Sequence, residues 1–178
     1  MPRRGESQVE IALLALLMAE FFPEVDATSG LIGEWAGCNP VIVRRIYGKL
    51  KRAGLLDTGP GRRSLELARD ARSISLLEIV EAITPLDRAG VFGVEAPLSG
   101  TCSIKSELFG TLTTELDQAV AAMRQRLAST TLHDYAMRLL DRCNVPAAQK
   151  LNEIFSNVEE AERRHPAARL SKKLISHK

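Results

Sequence analysis

The chain has 178 residues, enough for one domain with a real core or for a small domain with a docking extension, but too few for two full domains. Only 4% of the residues are aromatic, the formal net charge is +2, and helix-favouring Leu, Ala, Glu and Arg dominate, so we expect a mainly α-helical protein. No apolar run is long enough to cross a bilayer, and three widely spaced cysteines favour neither a disulfide framework nor a zinc site. A cytoplasmic protein with no bound metal or cofactor is expected.

The first part of the chain predicts a helix of ordinary length followed by a short one. Apolar residues recur at helical spacing over residues 7 to 22, and Pro23 ends the run because proline cannot continue a helix. Thr28 and Ser29 are good N-caps for a second helix, which Gly37 closes after barely two turns. A short second helix is typical of a helix-turn-helix.

The third helix is predicted to be basic and well capped. Asn39 can accept a hydrogen bond from the first turn, and Pro40 at the first helical position loses no needed hydrogen bond. Gly54 ends the helix. Residues 39 to 72 contain nine Lys and Arg against three acidic residues, although the whole chain is nearly neutral. Basic charge concentrated on one stretch is the pattern expected of phosphate contacts.

A β-hairpin is predicted after the third helix. Strand candidates at 55–56 and 64–68 flank a turn-rich tip at residues 58 to 63, and a further helix ends at Pro85. Helix, turn, helix and hairpin in this order predict a winged helix-turn-helix domain over residues 1–84.

A domain of this kind is expected to bind double-stranded DNA. The start of the third helix would enter the major groove, where Arg commonly reads guanine edges. Lys49 and Arg52 lie further along and are expected to contact phosphate, while Arg62 and Arg63 at the tip of the wing would reach a neighbouring groove or the backbone. The plain alternative is a solvated basic helix in a helical bundle. The predicted DNA-contacting residues are Ser29, Asn39, Pro40, Val41, Arg44, Arg45, Lys49, Arg52, Arg62 and Arg63.

A long amphipathic helix is predicted outside the winged domain. Residues 85–104 have few strong periodicities and are expected to form a linker, whereas from Lys105 apolar residues recur every three or four positions over about 30 Å of helix. Such a helix needs a partner for its apolar stripe. Residues 105–165 would hold this helix and shorter C-terminal helices, and residues 166–178 a basic flexible tail. The stripe includes Leu108, Leu112, Leu116, Met123 and Leu127.

These features resemble the Rrf2-type bacterial transcriptional regulators, over about residues 7–84 closely and 100–140 loosely. The resemblance implies a homodimer with two winged domains, joined through the long helix and bound to an imperfect palindrome. The stripe residues Leu108, Leu112, Leu116, Met123 and Leu127 would then form the dimer contact. The regulator would be a repressor or an activator, and repression is the expected effect. The matching segments are Ser29-Gly30-Leu31-Ile32, Asn39-Pro40-Val41-Ile42-Val43-Arg44-Arg45-Ile46, Leu50-Lys51-Arg52-Ala53-Gly54-Leu55, Gly59-Pro60-Gly61, Leu67-Ala68 and Ile74-Ser75-Leu76-Leu77-Glu78-Ile79.

The wing departs from the family pattern at two places. The glycines that usually follow Gly-Pro-Gly are Arg62 and Arg63 here, and the arginine often found just before that motif is Thr58. The contact of the wing with the minor groove would therefore move from one side of the turn to the other.

The best-known members of the family hold an iron-sulfur cluster through three closely spaced cysteines before the long helix, because a cluster needs several thiolate ligands. Here only Cys102 lies in that region, with Cys38 and Cys143 far away, so an ordinary cluster site is not expected. Cys102 is instead a candidate redox sensor, since a helix N-terminus and the nearby Lys105 both increase thiol reactivity. The alternative is a small buried apolar residue. The effector is unknown.

Three classes of function were compared. A sequence-specific DNA-binding regulator is the leading interpretation, and a non-catalytic protein-interaction adaptor that has lost specific DNA binding is the alternative. An enzyme finds no support, because the sequence has no phosphate loop, nucleophile motif or clustered carboxylate pair, and no catalytic residues are assigned.

Overall fold

A computed structural model describes residues 7–21, 25, 27–57, 65–95 and 103–142. The predicted mainly helical fold with a small hairpin is confirmed: these residues form seven α-helices and one antiparallel pair of strands. In chain order the elements are α1 (Gln8–Phe21), α2 (Ser29–Ala36), α3 (Pro40–Arg52), β1 (Leu56–Asp57), β2 (Glu66–Leu67), α4 (Leu76–Ile83), α5 (Arg88–Phe92), α6 (Ser103–Ala128) and α7 (Leu132–Arg142).

The core lies where α1, α3 and α4 pack against one another. Each of these helices contributes aliphatic side chains that are almost completely removed from solvent, and each such side chain stabilises the fold by roughly 1.5 to 3 kcal/mol. This packing fixes the orientation of α3, whose opposite face stays in solvent. The buried side chains of the three helices include Ile11, Leu16, Val43, Ile46, Leu50 and Ile79.

The hairpin is shorter than the sequence predicts. Its register pairs Leu56 with Leu67 and Asp57 with Glu66, so each strand has two residues. Leu55, expected in the first strand, donates its N–H to the carbonyl of Leu50 at the end of α3, while its own carbonyl accepts a hydrogen bond of 3.2 Å from the Ala68 N–H. Residues 58–64, which include the predicted wing tip, lie outside the described residues.

The segment predicted as a linker over residues 85–104 contains a helix, α5. The Asp87 carboxylate accepts a hydrogen bond of 2.7 Å from the Gly90 N–H at its start, and Gly93 ends it with a φ of 66°. This helix was not predicted, because five residues are too few to produce a periodic apolar pattern.

The long helix α6 packs against α4 and α5, and the Arg88 guanidinium of α5 lies 6.0 Å from the centroid of the Phe109 ring of α6. Arg124 pairs with Glu81 and donates to the carbonyl of Leu86 at 3.2 Å, while Arg88 pairs with Asp117 at 2.9 Å. These contacts join α6 to the end of α4 and to α5.

The chain divides into two compact units, residues 1–135 and 136–178. In the first unit, the N–H of Leu132 donates to the carbonyl of Ile74 at 2.7 Å, and Thr131 and Asp134 cap the start of α7 reciprocally. The described part of the second unit is the rest of α7, where Met137 and Leu139 are exposed. The remaining C-terminal helices and the basic tail predicted up to residue 178 lie outside the described residues.

Candidate nucleic-acid interface

In the turn between α2 and α3, the backbone of Gly33 lies close to the backbone of Cys38. Gly37 adopts a left-handed conformation with a φ of 67°, and the N–H of Cys38 donates to the carbonyl of Gly33 at 2.8 Å. A Cβ atom on Gly33 would lie only 2.9 Å from the Cys38 carbonyl oxygen. Only glycine therefore lets α3 start where it does.

The N-terminus of α3 has the predicted cap. The side-chain oxygen of Asn39 accepts a hydrogen bond of 2.8 Å from the Val41 N–H, and Pro40 occupies the first turn. These interactions fix the residue at which α3 starts. The start lies at the surface, since Asn39 and Val41 are both exposed. The local sequence therefore determines which residues the helix presents at its tip.

The exposed face of α3 carries most of its positive charge. Arg44, Arg45 and Arg52 are exposed, while the opposite apolar face is buried. Val41 interrupts this polar surface with an aliphatic side chain that is 44% exposed. A convex helix face with three guanidinium groups suits an anionic groove.

Arg44 is held against the start of α2. Its Nη1 donates a hydrogen bond of 3.1 Å to the hydroxyl of Ser29, the first residue of α2. A guanidinium group therefore lies beside a helix N-terminus, where backbone N–H groups also favour negative charge. The structure thus brings together Ser29 and Arg44, which are 15 positions apart in the sequence.

Lys49 has partners inside the protein. Its ammonium group donates to the carbonyl of Ile83 at the end of α4, at 2.8 Å, and to the side chain of Gln8 in α1, at 3.1 Å. A cation at the C-terminus of a helix stabilises that end. The phosphate contact predicted for Lys49 would compete with these two hydrogen bonds. The sequence did not reveal them, because both partners lie far from Lys49 along the chain.

Arg45 and Arg52 have no hydrogen-bond or ion-pair partner among the described residues, so their guanidinium groups face solvent. Arg62 and Arg63 of the predicted wing lie outside the described residues, as does the candidate sensor Cys102. The other eight predicted DNA-contacting residues lie between Ser29 and Arg52, in α2, in α3 and at the N-cap of α3.

The apolar stripe of α6 is divided between two environments. Near the N-terminus of the helix Leu108 is 69% and Leu112 45% exposed, whereas Leu116, Met123 and Leu127 are half-buried. The C-terminal part of the stripe thus packs within its own chain, and the N-terminal part is left uncovered.

Ile104 extends the uncovered part of α6 and was missed by the sequence prediction. It is 80% exposed and lies four residues before Leu108, on the same face of the helix. Because the helix begins at Ser103 rather than at the predicted Lys105, this residue was left in the linker. Extending the apolar periodicity backwards by one turn would have found it.

No group of three or more His, Cys, Asp or Glu side chains in the described part of the chain could hold a metal ion. Of the three cysteines, Cys38 lies in this part and is not in a disulfide. An iron-sulfur cluster needs several thiolates at one place, and the described residues include one cysteine. None of the helices within the described ranges is long and apolar enough to span a membrane.

Comparison with known proteins connects this geometry to one family. The Rrf2 family model, described as that of an iron-dependent transcriptional regulator, matches residues 6–138. YwnA from Bacillus subtilis (strain 168), which carries the name of an HTH-type transcriptional regulator, is 30% identical over 107 residues, or 60% of this chain and 79% of YwnA.

Solved structures show the same fold. A structure described as that of a DNA binding protein is 26% identical, covers 73% of this chain and 99% of its own, and superposes with a TM-score of 0.58. A structure described as a transcriptional regulator from Lactobacillus plantarum has a TM-score of 0.60, covers 96% of this chain and 98% of its own, and is only 16% identical, so it supports the fold alone.

Proposed function

The chain belongs to the Rrf2 family of transcriptional regulators, and from this we propose that it binds a palindromic operator as a homodimer, with one α3 in the major groove of each half-site. Bound in this way it would act as a repressor, by covering DNA that RNA polymerase needs. It would work in the cytoplasm, where a bacterial operator is found.

One observation carries this proposal: the start of α3 is exposed, capped and basic, while its other face is locked into the core. Val41, Arg44 and Arg45 project from a helix whose Val43 and Ile46 are buried to 1% exposure or less. The helix can therefore enter a groove as a rigid element without unfolding any of its packing. Residues near the N-terminus of such a helix are the ones that meet base edges.

The contact between Ser29 and Arg44 supports a phosphate site beside the groove. The guanidinium group of Arg44, the hydroxyl of Ser29 and the first N–H groups of α2 all favour a phosphate oxygen. Such contacts set the position of the protein on the duplex. Arg52, and the predicted wing residues Arg62 and Arg63, would add phosphate or minor-groove contacts on the flanking side.

The uncovered end of α6 supports dimerisation. Ile104, Leu108 and Leu112 form one apolar row, and pairing it with the same row of a second copy would remove it from water. A two-fold dimer would then present two α3 helices about one helical turn of DNA apart, which fits a palindrome. The half-buried Leu116, Met123 and Leu127 would contribute at the edge of this contact.

Cys102 remains the proposed redox sensor, since it immediately precedes the first residue of the dimerisation helix. Its oxidation would change the start of α6 and thereby the spacing of the two α3 helices. If Cys102→Ser protein responds to hydrogen peroxide in a DNA-binding assay as the wild type does, this part of the proposal is wrong.

The proposal is tested by selecting bound duplexes from random DNA and measuring their affinity by fluorescence anisotropy at several salt concentrations. A regulator should prefer the selected site over random duplex by a factor of about 10³ or more. An adaptor that has lost specific binding should show no preferred site. The stoichiometry of the complex, from light scattering, should be two chains per palindrome.

A further inference from the structure

The hydrogen bonds around α3 leave few groups available to read bases. The side-chain oxygen of Asn39 is engaged by the Val41 N–H, Arg44 is directed to Ser29, and Lys49 is directed to the carbonyl of Ile83. Arg45 has no such partner among the described residues, and Val41 has no polar group to engage. These two residues lie four positions apart, on the same side of the helix.

Val41 is the unusual member of this pair. It is 44% exposed at the tip of α3, whereas Val43, Ile46 and Leu50 of the same helix are completely buried. A single exposed valine is unremarkable on an ordinary surface, but in the major groove it meets only one apolar group. That group is the 5-methyl of thymine, the one methyl group at the base edges of the major groove, where most other exposed groups are hydrogen-bond donors or acceptors.

We infer that Val41 reads the methyl group of a thymine and that Arg45 reads a nearby guanine in each half-site. Arg44, held beside Ser29, binds phosphate instead of a base. This inference rests on the proposed function, since it needs α3 in the major groove, and it names the bases that the operator must contain.

The geometry of an α-helix sets the distance between the two bases. Residues four positions apart are separated by about 6 Å along the axis, and consecutive base pairs are separated by about 3.4 Å. The thymine and the guanine therefore lie within about two base pairs of each other. The Arg45 guanidinium can donate two hydrogen bonds, to O6 and N7 of that guanine.

The thymine contact is tested on the duplex obtained from the random-DNA selection, by replacing each thymine of one half-site in turn with uracil, which lacks only the methyl group. At one position wild-type affinity should fall about fourfold, the change that corresponds to about 0.8 kcal/mol for one buried carbon. Val41→Ala protein should bind the two duplexes equally. Val91→Ala is the matched control, because Val91 is 37% exposed on α5. It should discriminate as the wild type does.

The guanine contact is tested on the same duplex by substituting each guanine within two base pairs of that thymine. Arg45→Ala should lose about 5- to 150-fold of preference at one guanine, the range that corresponds to one bidentate pair. Arg44→Ala should weaken binding to all duplexes alike and make it less dependent on salt. Circular dichroism checks that each variant is folded.

Different results would overturn the proposed function and this inference. If wild-type protein selects no preferred site, both the proposed function and this inference are overturned. If it selects a site but no uracil position depends on Val41, or if Arg44 rather than Arg45 determines the preference for guanine, the inference is overturned while the proposed function stands.

Discussion

Replacing Lys49 tests whether this basic residue stabilises the fold or contacts DNA. Replacing it with Met keeps the length of the side chain and removes the ammonium group that donates to the Ile83 carbonyl at 2.8 Å and to Gln8 at 3.1 Å. A hydrogen bond from a charged donor contributes about 1.5 to 3 kcal/mol, and a cation at a helix C-terminus contributes about 0.3 to 1 kcal/mol. Since Lys49 is half-buried and water can replace part of these contacts, we expect Lys49→Met to lower the free energy of unfolding by about 1 to 2 kcal/mol.

The assay is urea unfolding at one fixed protein concentration, followed by the fluorescence of Trp35, the single tryptophan of the chain. The control is Arg52→Met, since Arg52 is an exposed cation of the same helix with no hydrogen-bond or ion-pair partner among the described residues. The second measurement is the slope of log K against log salt for DNA binding. Each phosphate contact contributes about −0.9 to this slope, so Lys49→Met should leave it unchanged and Arg44→Ala should reduce it by about one contact. An unchanged unfolding midpoint together with a reduced slope would refute the structural role and restore Lys49 as a phosphate ligand.

Three further perturbations test other parts of the molecule. Gly33→Ala should destabilise the turn before α3, by about 1 to 3 kcal/mol in urea, because its Cβ would meet the Cys38 carbonyl; wild-type stability would show that α3 can shift freely. Leu108→Asp should convert dimer to monomer in light scattering, whereas an unchanged mass would exclude the uncovered end of α6 as the interface. Burial raises the pKa of Glu78, but hydrogen bonds from Arg69 and Ser75 outweigh it and hold that pKa below 4.5. The contribution of Glu78 to the free energy of unfolding is therefore fully present above the unfolded-state pKa of this carboxyl, and it is lost as pH falls through the lower, folded-state pKa. Wild type should lose more unfolding free energy between about pH 5 and pH 3 than Glu78→Gln, and parallel losses would contradict this.

The sequence by itself determined the order of the elements in the winged domain, because the signals for them are local. Asn39 and Pro40 specify the start of α3 through hydrogen bonds and backbone angles within three residues, and Gly37 specifies the end of α2 through its own conformation. The apolar spacing of α6 likewise needs no knowledge of its partner. The short α5 was not predicted, because only five residues lie between its caps Asp87 and Gly93, too few to show a helical period of apolar residues.

Only the tertiary structure decided what each charged or apolar side chain does. Lys49 and Arg45 look alike in the sequence, as basic residues of one helix, yet the packing of α4 places a carbonyl beside Lys49 and leaves Arg45 in solvent. Leu108 and Leu116 belong to one stripe, but packing within the chain leaves Leu108 exposed and half-buries Leu116. Such assignments depend on contacts between residues far apart in the chain, and no local pattern of residue types contains that information.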